Sequence, residues 1–283
     1  MTCDTPFYVL PKAGTEKVPV PCGKCPPCRL KRVNDWVFRL LQEERNHDHA
    51  HFITLTYDTR SIPISENGFM TLKKEDLQLF WKRLRKLIPH PIKYYAVGEY
   101  GTNKKRPHYH AIVFGVPKTE LFNQAWNQND LVPLGDIHVG QVSSDSIAYT
   151  CKYINKPVEP KKFGRDDRIK EFSVMSKGLG RNYITPASTA YHKADIYRLH
   201  LTKVGGHKIG IPRYYKNILF SEKEMLKQRI FVQQNADSEL IKLRTAYESL
   251  YGTLNNFTFE DWLHSQRLGR YDKHHSSPGR KDL

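Results

Sequence analysis

His108 and His110 stand two positions apart in the run RPHYHAIVFG. In an extended strand that spacing sends both imidazoles to one face, while Tyr109, Ala111 and Val113 point to the other and can enter a core. Glu99 lies at the end of the preceding apolar run, and a turn between the two runs brings its carboxylate to the pair. Two neutral imidazoles and a carboxylate form a donor set for Mg²⁺ or Mn²⁺, with positions left open for phosphate oxygens. Alone, a His-x-His pair is more often an ordinary exposed pair on an open sheet surface. The residues further along the chain change that reading.

Tyr149, Lys152, Tyr153 and Lys156 spell Tyr-x-x-Lys twice in succession, the one internal repeat of the chain. At about 100° per helical residue, setting Tyr149 at zero puts Tyr153 near ~40°, Lys152 near ~300° and Lys156 near ~340°, one stripe about 100° wide. Ile147, Cys151 and Ile154 fall on the opposite side and can be buried against a sheet. A phenol is a poor nucleophile near neutrality because its unperturbed pKa is about 10. Neighbouring ammonium groups and a metal-polarised phosphate answer that deficiency. The bland alternative makes the tyrosines interface aromatics and the lysines a solvated face.

These residues need elements to hold them. Leu30, Val33, Val37, Leu40 and Leu41 recur at helical spacing and predict a helix over 27–46. Residues 52–57, FITLTY, alternate as a strand. A helix over 73–88, strands over 92–97 and 107–115, a helix over 119–126, a strand over 136–142 and a helix over 144–156 follow. The order β-α-β-β-α-β-α over 50–157 predicts an α+β fold, a central antiparallel sheet with helices packed on one face. Residues 1–21 read as an irregular arm, 22–49 as a cysteine loop and helix, and 50–220 as the main domain with its motif core at 50–157. Residues 221–271 read as a helical C-terminal extension, and 272–283 as a disordered tail. A short hairpin is expected near GHKIGIPRYY.

Composition sets the class of partner. The 45 Lys+Arg against 29 Asp+Glu give a formal charge of +16, spread along the chain, which suits a polyanion. Lys104, Lys105 and Arg106, just before His108, can guide a phosphate backbone to the metal site. The basic helix face of Lys73, Lys74, Lys82, Arg83, Arg85 and Lys86 serves equally as a solvated surface. No stretch approaches the roughly 18 to 20 apolar residues of a membrane span, and no signal peptide is recognisable. A soluble protein in a reducing cytoplasm, with no membrane partner, is expected. Cys22, Cys25 and Cys28 have zinc-like spacing but supply three ligands. Cys3, or one of His47, His49 and His51, can complete a tetrahedron for structural Zn²⁺; a compact loop of reduced thiols is the alternative.

FITLT at 52–56, His108-Tyr-His110 and the tandem Tyr-x-x-Lys resemble the three motifs of HUH-class rolling-circle replication initiators. More closely, CGKCPPCRLKR, HFITLTYDTR, LFWKRLRKLI, VGEYGTNKKRPHYHAIVFG and AYTCKYINKP resemble, in order, the replication initiators of gokushovirus-type microviruses, over about residues 15–220. The resemblance implies a metal-dependent DNA endonuclease and strand transferase on an HUH-type sheet. It implies Glu99, His108 and His110 as ligands of Mg²⁺ or Mn²⁺, tyrosine nucleophiles at Tyr149 and Tyr153 aided by Lys152 and Lys156, and covalent attachment to the 5′ end of the nick. The expected substrate is a single-stranded or locally melted DNA origin, the expected partners are host replication helicase and polymerase, and the expected location is the host bacterial cytoplasm. Two rivals stand beside this reading: an HUH transposase or relaxase, and a non-catalytic nucleic-acid-binding protein on the same scaffold.

Overall fold

Runs of aromatic and β-branched residues build the centre of the molecule. In the computed structural model, which describes residues 3–10, 17–128, 132–152, 164–202, 206, 208–252 and 257–276, the chain opens with β1 (Phe7–Val9), β2 (Val18–Val20) and α1 (Pro26–Glu44). Next come β3 (Ala50–Thr56), α2 (Lys74–Leu87), β4 (Lys93–Tyr100), β5 (Pro107–Phe114) and α3 (Glu120–Ala125). A two-residue pair, β6 (Asn127–Gln128) and β7 (Val132–Pro133), leads to β8 (Ile137–Gln141), α4 (Ser144–Lys152) and β9 (Phe172–Met175). The remaining elements are α5 (Pro186–Ala194), β10 (His200–Thr202), β11 (Lys208–Gly210), α6 (Arg213–Leu219), α7 (Glu222–Tyr251) and α8 (Phe259–Ser276). The chain divides into two units, one of Val33–Thr185 and one of Met1–Arg32 with Pro186–Leu283.

The first unit holds a five-stranded sheet in the order β8-β3-β5-β4-β9, with every pairing antiparallel. On one face Ile53, Leu55, Ala96, Tyr109, Ala111 and Val113 pack with Leu77, Phe80, Trp81 and Leu84 of α2 and with Phe122 and Ala125 of α3. The spacing of the α2 residues is that of a single helical stripe. Acidic Glu75 and Asp76 in its first turn and basic Arg85 and Lys86 in its last match the helix dipole. On the other face Tyr95, Val97, Ile112 and Phe114 pack with Val37 and Leu40 of α1, Ile147 and Cys151 of α4, and Leu179.

Helices therefore cover both faces, where the sequence pattern predicts one. The cause is visible in β4 and β5. Residues 94–97 and 111–114 are apolar without alternation, the mark of a strand buried on both sides. The fifth strand, β9, also departs from the expected order; its four residues are hidden between the charged runs RDDRIKE and SKG. Residues 1–21, expected as an irregular arm, contain the antiparallel ribbon of β1 and β2.

In the second unit the hairpin of β10 and β11 forms at the expected place. Ser221 and Glu224 form a reciprocal capping box at the start of α7, which satisfies two backbone donors at the helix end. α8 continues to Ser276, into the first part of the segment expected to be a disordered tail; the rest of that tail lies outside the described residues. No helix among the described residues is long and apolar enough to cross a membrane.

Candidate active site

The sheet register assembles the metal-ligand candidates. β4 and β5 pair so that Glu99 is directly opposite His108, and β3 pairs with β5 so that Thr54 is opposite His110 and Thr56 opposite His108. Opposed residues share a face, so Glu99, His108, His110, Thr54 and Thr56 all project from the face that carries α1 and α4. His108 Nε2 and His110 Nε2 each lie 2.8 Å from the same oxygen, Glu99 Oε1. The two imidazole rings are 4.9 Å apart and nearly perpendicular. The three donor atoms fall within 4.8 Å of one another, a convergence that fits one divalent cation.

Glu99 is only 2% exposed. Burial alone would raise its pKa, but the hydrogen bond from His108, the contact with His110 and their charges outweigh it and hold the carboxyl at about 2. It is ionised at any ordinary pH, as a metal ligand must be. Outer contacts orient the imidazoles. His108 Nδ1 is 3.1 Å from the carbonyl oxygen of Arg106, so an N–H there donates to that carbonyl and leaves Nε2 as the acceptor nitrogen. His110 Nδ1 is 2.9 Å from Thr54 Oγ1, and Phe52 stacks on the His110 ring at 5.5 Å and 14°. The sequence marks Thr54 and Phe52 only as parts of a strand; their roles emerge from pairing across the sheet.

α4 brings the candidate nucleophile to this face. Its Ile147 and Cys151 are fully buried, which turns Tyr149 toward the metal-ligand residues. The Tyr149 ring meets His110 edge-on at 5.4 Å and Phe52 at 6.3 Å. Lys152 is the final described residue of α4 and its side chain is outside the described set; Tyr153, Ile154 and Lys156 also lie outside it.

The basic residues divide by location. Lys104 is exposed on the turn between β4 and β5, and Lys105 adopts a left-handed backbone with φ 52°. The Arg106 guanidinium donates to the Tyr57 carbonyl at 2.8 Å and to Thr59 Oγ1 at 3.4 Å, which fixes the turn. The basic helix α2 packs on the opposite sheet face from the imidazoles. Of the histidines considered as zinc ligands, His47 contacts Glu43 and His51 contacts the Val116 carbonyl.

Comparison with known proteins places this site in a family. Residues 50–158 match the family model for replication-associated protein ORF2, an interval containing Glu99, His108, His110, Tyr149, Tyr153, Lys152 and Lys156. Replication-associated protein ORF2 of Spiroplasma virus 4 is 31% identical over 212 residues, 69% of this chain and 66% of that protein. Replication-associated protein VP4 of Bdellovibrio phage phiMH2K is 30% identical over 217 residues, 70% of this chain and 66% of that protein. Replication-associated protein ORF4 of Chlamydia phage 1 is 28% identical over 228 residues, 71% of this chain and 53% of that protein. The chain thus spans just under two thirds of the length of the first two relatives and about half of the third. No solved structure matches it. With a family-model match across the whole motif core and microvirus relatives aligned over some 70% of its length, the chain belongs to the ORF2 family of replication-associated proteins.

Proposed function

We propose that the protein is a replication initiator that nicks single-stranded or locally melted origin DNA through a tyrosine, stays joined to the 5′ end of the nick, and rejoins the strand to complete rolling-circle replication. The observation that carries the reading is the packing of the Tyr149 ring against His110, within the group formed by Glu99, His108 and His110. A candidate nucleophile and a candidate cation site on one sheet face are what phosphoryl transfer to a side chain requires. The microvirus relatives are named for replication, which supports the choice of DNA as the phosphodiester.

Mg²⁺ or Mn²⁺ held by Glu99, His108 and His110 supplies positive charge to the scissile phosphate and makes its phosphorus more electrophilic. The Tyr149 hydroxyl attacks that phosphorus, the bond to the 3′ oxygen breaks, and the 5′ phosphate remains on the tyrosine. Lys152 and Lys156 lower the cost of phenolate formation and balance phosphate charge. The phosphotyrosyl bond keeps the energy of the broken DNA linkage, so attack by a free 3′ hydroxyl reseals the strand without ATP. Tyr153, one helical turn beyond Tyr149, serves the second cleavage when the regenerated origin is cut while the first adduct persists.

The test is to incubate the protein with labelled circular single-stranded phage DNA and Mn²⁺ and to resolve the products under denaturing conditions. The expected result is a DNA-protein adduct that chelator abolishes, that each single variant Tyr149→Phe or Tyr153→Phe retains in part, and that the double variant lacks. DNA binding without any adduct, or an adduct that survives the double substitution, would refute the tyrosine mechanism and leave the non-catalytic scaffold as the better reading.

A further inference from the structure

A second donor set lies at the other end of the metal hardness scale. Cys3 joins Cys22, Cys25 and Cys28, and all four sulfur atoms lie within 4.8 Å of one another. Cys3 Sγ and Cys25 Sγ are 3.8 Å apart. Four-coordinate zinc with Zn–S bonds of about 2.3 Å places its sulfurs about 3.8 Å apart along each edge of the tetrahedron. None of the four cysteines is in a disulfide.

The backbone builds the site. Antiparallel pairing of β1 with β2 sets Phe7 opposite Val20, which brings the chain before β1, with Cys3, beside the chain after β2, with Cys22. Gly23 takes a left-handed φ of 72° with open space where a Cβ would stand, a conformation that glycine adopts without strain, and the chain curls from Cys22 back to Cys25. Pro26 then opens α1, where a missing N–H costs nothing, and Cys28 falls in the first helical turn. Backbone amides point at the sulfurs: Lys24 and Cys25 N–H donate to Cys22 Sγ at 3.3 Å, Cys22 N–H to Cys3 Sγ at 3.2 Å, and Asp4 N–H to Cys25 Sγ at 3.5 Å. Such donors orient thiolates and moderate the charge of a tetrathiolate centre.

We propose that Cys3, Cys22, Cys25 and Cys28 bind one structural Zn²⁺. The sequence spacing shows only three of the ligands, because the fourth is 19 residues upstream of Cys22. Four thiolates close the tetrahedron and leave no position for a substrate. Soft sulfur donors select zinc over the hard Mg²⁺ and Mn²⁺ that suit Glu99, His108 and His110. The need for a staple is local: Phe7, Tyr8 and Val9 of the ribbon are exposed, so few buried side chains hold it, and a metal is the usual substitute for a core in so small a unit.

The experiment uses the full chain, purified reduced, stripped of metal and titrated with Co²⁺ and then Zn²⁺. Binding should give the visible ligand-field bands and sulfur-to-cobalt charge-transfer absorption of a tetrahedral thiolate site, saturating at one equivalent, displaced by Zn²⁺ and indifferent to excess Mg²⁺. Cys3→Ser should weaken zinc in chelator competition by more than about 10-fold, the scale set by losing merely an outer-shell partner. A reduced wild-type chain without the thiolate-to-cobalt band, or a Cys3→Ser variant with unchanged zinc affinity, overturns the proposal. The wild-type spectrum decides alone if the variant does not fold.

Discussion

Thr54 shows how a residue with no chemistry of its own can govern a metal site. Its hydroxyl sits 2.9 Å from His110 Nδ1, so it fixes the rotation of the ring that presents Nε2 beside Glu99. Thr54→Val keeps the shape and removes the oxygen. It should lower Mn²⁺ affinity by about 10- to 100-fold, measured by calorimetric titration, with the thermal transition nearly unchanged; His110→Ala should abolish binding. Equal Mn²⁺ affinity in Thr54→Val and wild type would show that His110 needs no such support. Glu99, His108 and His110 are legible in the sequence because a two-residue period and one turn suffice to bring them together. Thr54 is not. It meets His110 across 56 positions of chain, and nothing within a single strand declares which neighbour it will pair with.

At the scale of elements, α1 is tied to the sheet by a buried carboxylate as well as by Val37 and Leu40. Glu43 lies 2.8 Å from Lys93 Nζ, at the start of β4, and 2.8 Å from His47 Nε2, and it accepts the Gly180 N–H at 2.7 Å. Burial opposes its charge, but Lys93, the Gly180 amide and His47 together hold its pKa below the ordinary carboxylate value. Because the folded value is the lower one, the stabilisation is complete above the ordinary carboxylate range and is lost as pH falls through the depressed folded value. Glu43→Gln should therefore cost about 1 to 3 kcal/mol near neutrality, and its deficit should shrink in acid. Urea unfolding at several pH values checks this; a deficit that does not shrink in acid would mean the charge is irrelevant. The strands and helices that build the site are legible from their periods. The helices on the second face, and β9, are not, since burial on both sides erases alternation and a four-residue strand between charged runs has too few positions to show one.

Across the whole molecule the dominant quantity is charge. A formal +16 makes counterion release the main source of DNA affinity, and for single strands the slope of log K against log salt is about −0.7 per neutralised phosphate. Lys104, exposed beside the metal-ligand strands, is the residue on which this prediction rests. Lys104→Ala should reduce the slope by about 0.7 in anisotropy titrations with a single-stranded oligonucleotide, leaving metal affinity intact. An unaltered slope would remove Lys104 from the DNA path.

β5 occupies the middle of the sheet, paired along its length with β3 on one side and β4 on the other. To pull it free, both ladders must break at once, whereas an edge strand such as β8 or β9 can peel from a single neighbour. His108 and His110 are therefore mounted on the segment whose local opening comes closest to global unfolding, while Tyr149 rides on a nine-residue helix packed over that sheet. Thermal agitation is thereby steered away from the imidazoles and toward the phenol, which has to swing between an incoming phosphate and a departing hydroxyl while its target stays put.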